Sequence, residues 1–472
     1  MLRLHNTLTR TVEPIRPLRP GSVSMYSCGP TVYRPVHIGN LRSFLLGDLI
    51  RRVLNWTGVS VRQVMNITDV GHMTDEIYDR GEDKMLLAAA DEGLTPAEIA
   101  AKYEAAFHRD AARVGITPAE VYPKASDHIG AMIDLIARLL ERGHAYVDGG
   151  TVYYDVTTFP GYGRLSRNSL DQLRAGHRLE AVDHHKRHPA DFILWKAAGP
   201  RRVVRFDSPW GEGYPGWHIE CSAMSIAYLG ERFDLHTGGV DLAFPHHEDE
   251  IAQSEGALGH PVVTTWVHGD HLLFSGQKMA KSSGNVWTLD RLEADGHHPL
   301  DFRYLCLTSR YRRQLRFLPE ALAAAGKARA RLAAHLAEWG DPAPAGRAES
   351  PAGKEWDLRF RDAVLDDLDF PRALTVVWGL VGDEGIAAGE RAALLYDWDR
   401  VLGLGLAEAA EAAGADGAVD ELPAGAAELL ESRRAARERR DWAESDRLRD
   451  ELQELGVEVA DTRDGTTWHV RR

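Results

Sequence analysis

The sequence lacks any run of about 18 consecutive apolar residues, the length that a membrane-spanning helix needs. Its first residues also lack an apolar signal-peptide core with a small-residue cleavage site, so we expect a cytoplasmic protein without membrane association. Cysteine is scarce as well. Cys28, Cys221 and Cys306 are too few for a disulfide framework and indicate metal-binding, catalytic or buried thiols.

Positive charge is in deficit, because 56 lysine and arginine residues face 70 aspartate and glutamate residues, a net charge of −14. This balance excludes a protein that coats nucleic acid through bulk positive charge, although a local basic surface remains compatible with it. The 472 residues are enough for about two to four domains. Hydrophobic residues make up 44% of the chain, which is ample for several cores.

The N-terminal region has the pattern of a βαβ unit. Val23 to Ser27 predict a strand, and apolar residues at three- and four-residue spacing from Leu41 to Leu54 predict a helix that ends by Gly58. Val59 to Ile67 predict a second strand. Such units are typical of α/β nucleotide-binding folds, whose ligands bind where strands end and helices begin.

Two segments carry phosphate-binding chemistry. The first, VHIGNLR at residues 36–42, puts His37, Gly39 and Asn40 at the mouth of the predicted helix, where backbone N–H groups and the helix dipole attract phosphate. Alone, it is equally typical of a helix cap beside a solvated histidine. The second, GQKMAKSSGN at residues 276–285, puts two lysines in a loop that would neutralise phosphate charge, or that forms a solvated turn.

Together the two segments resemble the HIGH and KMSKS signatures of class I aminoacyl-tRNA synthetases, with Asn40 and Ala280 as departures from those patterns. The resemblance implies that ATP binds with Mg²⁺. It assigns ATP binding to His37, Gly39, Asn40, Lys278, Lys281 and Ser282. The same resemblance makes His37, Asn40, Lys278 and Lys281 the catalytic residues.

A third constellation contains metal-ligand residue types. Cys28 follows the first predicted strand, Cys221 lies in GWHIECSA, and His246 and Glu250 would share one helix face at a spacing of four residues. Two thiolates, one imidazole and one carboxylate are suitable zinc ligands. Each cysteine taken singly is more typical of a buried small hydrophobe, and only a fold that joins distant segments would assemble the set.

These residues resemble the cysteinyl-tRNA synthetase family over essentially the whole chain, as do NITD at 66–69, ADFILWK at 190–196, HTGGVD at 236–241 and GTTW at 465–468. The resemblance implies one Zn²⁺ per chain, held by Cys28, Cys221, His246 and Glu250 and completed by the thiolate of L-cysteine. It places around the rest of the amino acid Gly29, Thr31, Thr68, Trp217 and Asp241. Zinc favours a thiolate over the hydroxyl of serine, so we expect no editing domain.

The implied fold is α/β, with a Rossmann-like class I synthetase catalytic core that contains an insertion, followed by a helical bundle and a small C-terminal domain. The expected regions are the core at 1–116 and 197–260, the insertion (connective domain) at 117–196, the KMSKS-loop and stem-contact region at 261–317, the tRNA-binding helical bundle at 318–404, and a linker with the anticodon-binding domain at 405–472.

The expected reaction uses ATP to join L-cysteine to tRNA(Cys). We expect the enzyme to be a monomer. A local basic surface for tRNA is predicted from Arg433, Arg434, Arg437, Arg439 and Arg440, with a solvated helix of Glu/Arg pairs as the alternative. Two other functions stay open. One is an amide ligase that joins cysteine to a small amine, similar to the mycothiol-pathway ligases that lack the full anticodon-binding tail, and the other is a non-catalytic RNA-binding paralogue.

Overall fold

The structure is a computed structural model that describes residues 1–71, 73–75, 80–170, 185–199, 202–274, 277–278, 286–340, 348–416, 423–462 and 465–470. The chain divides into two compact units. One contains Met1–Arg329 and Pro342–Gly405, and the other contains Ala330–Asp341 and Leu406–Arg472. Within the described ranges, the helices are all too short or too polar to cross a membrane.

Short strands form several small sheets. The strands are β1 (Arg3–Asn6), β2 (Thr11–Pro14), β3 (Ser22–Ser27), β4 (Ser60–Met65), β5 (Met73–Asp75), β6 (Arg80–Asp83), β7 (Ala145–Asp148), β8 (Thr151–Tyr154), β9 (Phe192–Ala197), β10 (Gly213–Pro215), β11 (Phe233–Gly239), β12 (Val263–Gly269), β13 (Leu272–Phe274), β14 (Gln277–Lys278), β15 (Leu315–Phe317), β16 (Val457–Thr462) and β17 (Gly465–Val470).

Helices dominate the second half of the chain. The α-helices are α1 (Ile38–Trp56), α2 (Lys84–Glu92), α3 (Pro96–Arg113), α4 (Ile129–Glu141), α5 (Trp217–Leu229), α6 (His246–Leu258), α7 (Leu289–Ala294), α8 (Pro299–Leu307), α9 (Pro319–Trp339), α10 (Pro351–Leu365), α11 (Phe370–Val381), α12 (Ala388–Leu402), α13 (Leu406–Asp416), α14 (Ala426–Glu438) and α15 (Trp442–Glu454).

A four-stranded parallel sheet organises the first unit. Its strand order is β12-β11-β3-β4. After the central strand β3, the chain first forms β4 on one side of it and later forms β11 on the other side. The strand order therefore reverses between β3 and β11. In open α/β sheets, ligands bind in the crevice at such a point, outside the carboxyl ends of the strands.

The predicted βαβ unit is confirmed as β3, α1 and β4. The second strand was predicted to reach Ile67 but ends at Met65. Beyond it the backbone pairs with a different segment, because the Ile67 N–H donates to the carbonyl of Pro123 at 2.8 Å and the Ile67 carbonyl accepts from Ala125 at 3.0 Å. The backbone after β4 thus pairs on one side with residues 123–125, while the Thr68 N–H donates to the carbonyl of Pro30 at 3.0 Å on the other side.

A separate antiparallel sheet, with the order β10-β9-β8-β7, forms between β4 and β11. Helix α4, predicted from Ile129 to Leu140, is confirmed and packs its apolar face into a core that also contains Trp195, Cys221 and Met224. The inserted sheet and the helices that flank β11 consequently share one hydrophobic core. Cys306, in α8, is buried as expected.

The second unit ends in a helix pair, α14 and α15, and the antiparallel hairpin of β16 and β17. Ala426, Leu452 and Val457 form its small core. Arg433 is buried at 1% exposure, so the prediction that it contributes to a basic surface is wrong: its position in α14 faces inward. Helix α13 arises from an Ala- and Glu-rich stretch without apolar period, because both residue types have high helix propensity.

Candidate active site

The residues after β3 are held against two neighbouring segments. The Cys28 N–H donates to the carbonyl of Thr237 on β11 at 3.1 Å, and the Gly29 N–H donates to Oδ1 of Asn66 at 2.8 Å. A side chain at Gly29 would place its Cβ 1.8 Å from the carbonyl oxygen of Asn66, so only glycine permits this approach. The sulfur of Cys28 is therefore held at the carboxyl end of the parallel sheet.

Thr31 and Thr68 lie on paired segments at the same end of the sheet. They form a parallel β-bridge, in which the N–H of Val32 donates to the carbonyl of Thr68 at 3.1 Å. The Thr68 hydroxyl donates to Oε2 of Glu220 on α5 at 2.9 Å. These bonds connect the paired segments of Thr31 and Thr68, which we call the crevice floor, to the helix that carries Cys221.

Four buried side chains converge beside this floor. The ligand atoms of Cys28, Cys221, His246 and Glu250 all lie within 4.8 Å of one another. In a tetrahedral zinc site the ligand atoms lie roughly 3.3–3.8 Å apart, so the cluster is close to the size that zinc requires. The predicted residues are thus brought together by the ends of β3 and by helices α5 and α6.

Electrostatics in this cluster also favour a cation. Burial raises the pKa of the Cys28 thiol, and the adjacent Cys28 sulfur, followed by burial, raises the pKa of Cys221 well above its usual range. Burial alone would raise the pKa of Glu250, but His236 and His246 lower it to about 2. A charged carboxylate beside two thiols suits a divalent metal ion, whose binding deprotonates coordinating thiols.

Sequence reasoning missed two further residues of the cluster, His236 at the end of β11 and His247 on α6. With Cys28 and Glu250 they form a second, overlapping set of ligand atoms within 4.8 Å of one another. His236 Nε2 lies 2.8 Å from Oε2 of Glu250, and His247 Nε2 lies 3.2 Å from the sulfur of Cys28. The set with Cys221 fits zinc better because it supplies a second soft thiolate.

A chain of polar contacts also orients His246. Its Nδ1 lies 2.7 Å from Nδ1 of His218, whose Nε2 lies 3.3 Å from Oδ2 of Asp249. The Tyr162 hydroxyl donates to the other oxygen of Asp249 at 2.6 Å. His246 therefore turns Nε2, which lies 3.1 Å from Glu250, toward the ligand cluster. His218, in GWHIECSA beside Cys221, was detectable only as a polar residue next to a predicted ligand.

Trp217 and Asp241 border the crevice. The half-buried Trp217 ring lies 4.5 Å from the His246 ring, measured between centroids. Asp241 is exposed and follows β11, and it lines a small cavity together with His37, Asn40 and the residues that follow β12. This cavity therefore joins Asp241, which is predicted to bind the amino-acid substrate, to the start of α1.

His37 and Asn40 form a reciprocal cap on α1. The backbone N–H of Asn40 donates to Nδ1 of His37 at 3.1 Å, and the backbone N–H of His37 donates to Oδ1 of Asn40 at 3.2 Å. Because Nδ1 accepts a hydrogen bond, the neutral ring carries its proton on Nε2. The cap holds both side chains at the helix mouth, where Gly39 also lies.

The lysine loop is described only at its start. Lys278 lies in β14, where it is opposite Leu273 of β13. Lys281 and Ser282 lie outside the described residues. Strand β13 follows β12 closely in the chain and belongs to a separate three-stranded sheet with the order β14-β13-β15.

Comparisons with known proteins agree with this geometry. Residues 14–327 match the model of the tRNA synthetases class I (C) catalytic domain, and residues 419–468 match the cysteinyl-tRNA ligase anticodon binding domain. The chain is 42% identical to the cysteine–tRNA ligase of Thermus thermophilus, with all of both chains covered, and 39% identical to that of Treponema denticola, with 99% of both covered.

The fold of the chain is also similar to that of solved structures. A methionyl-tRNA synthetase from Mycobacterium tuberculosis, in complex with methionyl-adenylate, superposes with a TM-score of 0.55 at 15% identity, over 82% of this chain and 91% of that one. This similarity confirms the predicted class I synthetase fold. With full-length relatives and both domain models in agreement, the chain belongs to the cysteine–tRNA ligase family and is an aminoacyl-tRNA ligase of class I.

Proposed function

We propose that the chain activates L-cysteine with ATP, transfers it to tRNA(Cys), and selects it through a zinc ion held by Cys28, Cys221, His246 and Glu250. The observation that carries this proposal is the convergence of these four buried side chains at the carboxyl end of the parallel sheet. The capped mouth of α1, with His37 and Asn40, opens at the same end.

The four residues fit zinc by donor type, by spacing and by charge. A bound zinc ion would supply positive charge and an open coordination position for the substrate thiolate. An ordinary pocket separates near-isosteric substrates by only about 10- to 200-fold. Cys28 and Cys221 create a site that prefers a substrate able to ionise at sulfur, and L-serine lacks such a group.

The remaining crevice residues would hold the backbone of the amino acid. Asp241 offers a carboxylate to the α-ammonium group, and Trp217 closes the crevice above His246. Gly29, Thr31 and Thr68 would line the part of the crevice that receives the substrate carboxylate. In this proposal the substrate carboxylate would lie next to the α1 mouth.

Catalysis at the ATP site is electrostatic. A substrate carboxylate oxygen attacks the α-phosphorus of ATP, a new P–O bond forms, and pyrophosphate leaves with the electron pair of the broken bond. His37 would donate from Nε2 to a phosphate oxygen, and the side-chain amide of Asn40 would donate to phosphate beside it, at the positive end of the α1 dipole. Lys278 and Lys281 would neutralise the charge of the pyrophosphate, which Mg²⁺ accompanies, and Ser282 would donate a hydrogen bond to it.

In the second step a ribose hydroxyl at the tRNA 3′ end attacks the aminoacyl carbonyl. An ester forms, the carbonyl–phosphate bond breaks, and AMP leaves. The second unit would bind the tRNA through exposed arginines such as Arg434, Arg439 and Arg440. The match at residues 419–468 supports tRNA as acceptor over a small amine, because small-amine ligases lack this tail.

Other parts of the proposal extend beyond the site. The region boundaries predicted from the sequence, including the insertion at 117–196 and the C-terminal domain at 405–472, remain proposals. We also propose that the chain acts as a monomer in the cytoplasm, where tRNA is charged for translation. Sedimentation of the purified protein tests the monomeric state, and fractionation of cells tests the cytoplasmic location.

The direct test is ATP-dependent attachment of labelled L-cysteine to tRNA by zinc-loaded protein, with L-serine in a parallel reaction. We expect charging with L-cysteine alone. Pyrophosphate exchange with L-cysteine but no charging of tRNA would instead indicate a small-amine ligase. Loss of both activities in folded, metal-loaded protein would indicate a non-catalytic RNA-binding protein.

A further inference from the structure

The hydroxyl of Tyr26 is a buried polar group that the proposed function does not use. Tyr26 lies on β3, two residues before Cys28, and pairs in register with His236 of β11. The centroids of the Tyr26 and His236 rings are 5.1 Å apart, and Tyr26 is completely buried. The two adjacent strands thus place this phenol in the core that also contains Cys28 and Cys221.

Among the described residues, the Tyr26 hydroxyl makes no hydrogen bond. Such a group is rare in a protein core, because it gives up its hydrogen bonds to water and gains none in return. Tyr154, in the same core, has the usual arrangement, in which its hydroxyl donates to the carbonyl of Ala252 at 2.9 Å. Tyr26 departs from this arrangement, which indicates that its acceptor arises only when the nearby ligand cluster holds a metal.

The Tyr26 hydroxyl lies beside the sulfur of Cys221. Burial, followed by the neighbouring Cys221, Cys28 and Glu250, raises the pKa of Tyr26 well above its usual range. Of these three side chains, Cys221 has the strongest effect and lies within reach of the hydroxyl, but no hydrogen bond of normal geometry joins them. The sulfur of Cys28 has a different polar neighbour, because it lies 3.2 Å from Nε2 of His247.

We propose that Tyr26 is a positioning residue for the zinc site and that its hydroxyl donates a hydrogen bond to the thiolate of Cys221 when the metal is bound. The inference rests on the zinc site of the proposed function. A thiol is a weak acceptor, whereas a metal-bound thiolate is an anion that accepts a charge-assisted hydrogen bond. Tyr26 would therefore gain its missing partner on metal binding, and the buried negative charge of Cys221 would gain a donor.

This hydrogen bond would also affect the substrate. A donor that faces a ligating sulfur draws electron density from it, so the sulfur passes less charge to the metal. The metal then attracts a further thiolate, that of L-cysteine, more strongly. Tyr26 would thus act on substrate binding through Cys221, without contact between Tyr26 and the substrate.

The test compares Tyr26→Phe, which removes only the hydroxyl oxygen, with Tyr154→Phe as the matched control. Both tyrosines are completely buried in the same core, but the partner of Tyr154 is a backbone carbonyl that does not depend on the metal. Chelator competition measures zinc affinity, and urea unfolding compares the zinc-free and zinc-loaded forms of each protein. The absorption spectrum of the cobalt(II) form reports charge transfer from sulfur to metal.

We expect Tyr26→Phe to lower zinc affinity about 10- to 100-fold, the usual effect of removing a partner of a metal ligand. The sulfur-to-cobalt band should move to longer wavelength, because a sulfur without a donor gives up charge more readily. The urea midpoint of zinc-free Tyr26→Phe should equal or exceed that of the zinc-free wild type, since the removed hydroxyl has no partner there. Tyr154→Phe should lower the midpoints of both forms equally and leave zinc affinity and the cobalt band unchanged.

Wild-type zinc affinity in Tyr26→Phe, or a cobalt band that does not move, would overturn the inference. So would a loss of stability in zinc-free Tyr26→Phe as large as that in Tyr154→Phe, because the hydroxyl would then bond another acceptor, such as His236, without the metal. Failure of the wild-type protein to bind zinc refutes the zinc site of the proposed function instead. Zinc binding by the wild type together with an unaffected Tyr26→Phe refutes only the role of Tyr26.

Discussion

Asp48, in the middle of α1, is the buried centre of an ionic network that should control the stability of the catalytic unit. Its Oδ2 accepts hydrogen bonds from Arg303 at 2.6 Å and Arg52 at 2.8 Å, and its Oδ1 accepts one from the Thr117 N–H at 2.9 Å. Arg303 also donates to the carbonyl of Leu402 at 2.6 Å. The network thus joins α1 to α8, to the segment after α3 and to the end of α12.

We predict that Asp48→Asn destabilises this unit by about 3–5 kcal/mol, because it leaves the guanidinium of Arg303 buried without its counter-charge. A loss of that size should lower the midpoint of urea unfolding by roughly 1–2 M. Replacing Arg303 by Met should have a similar effect. The double variant should lose less than the sum of the single losses, because it removes both buried charges.

The same network predicts a pH dependence. Burial alone would raise the pKa of Asp48, but Arg303 and Arg52 lower it below its usual range. A carboxyl with a lowered pKa in the folded state stabilises the protein above its unfolded pKa of about 3.9, and this contribution is lost as the pH falls toward the folded pKa. Wild-type protein should therefore lose more stability than Asp48→Asn between about pH 5 and pH 2. The reasoning would be refuted if Asp48→Asn and Arg303→Met each lowered the free energy of unfolding by less than about 1 kcal/mol. It would also be refuted if the loss in the double variant equalled the sum of the two single losses.

Three further predictions concern the active site. Cys221→Ser should lower zinc content and raise the KM for L-cysteine together, whereas a fully metallated, active variant would remove Cys221 from the ligand set. His218→Ala should weaken zinc binding about 10- to 100-fold in chelator competition, and replacement of the half-buried His260 by alanine serves as its control; equal affinities would contradict the orienting role. Lys281→Ala should slow pyrophosphate exchange about 100- to 1,000-fold with zinc content unchanged, and normal exchange would exclude Lys281 from the mechanism.

Local periodicity explains how much of the fold was predictable. The three- and four-residue spacing from Leu41 to Leu54 reports a helix packed on a sheet, and α1 has that spacing because one face covers β3 and its neighbours. His246 and Glu250 were predictable as a pair for the same reason, since one helical turn separates them. Their proximity to Cys28 was accessible only through family resemblance.

Packing across the sheet, by contrast, leaves no local signal. His236 follows the buried pattern of a parallel strand, and no spacing relates it to Glu250, whose carboxylate it contacts. Arg433 resembles its exposed arginine neighbours in sequence, yet it is buried. Burial of a polar residue depends on which distant segment covers it, so these assignments required the three-dimensional structure.

The order of the parallel sheet explains why the ligand cluster unites distant parts of the chain. Strand β3 delivers Cys28, while α5 and α6, on either side of β11 in the chain, deliver Cys221 and the pair of His246 and Glu250. The cluster therefore exists only when β11 pairs with β3. A metal ion that binds this cluster but not the unfolded chain stabilises that pairing by mass action, by about 4 kcal/mol at a free concentration 1,000 times its Kd. In the proposed function, the four side chains that would select the substrate would thus also stabilise the assembly of the two halves of the sheet.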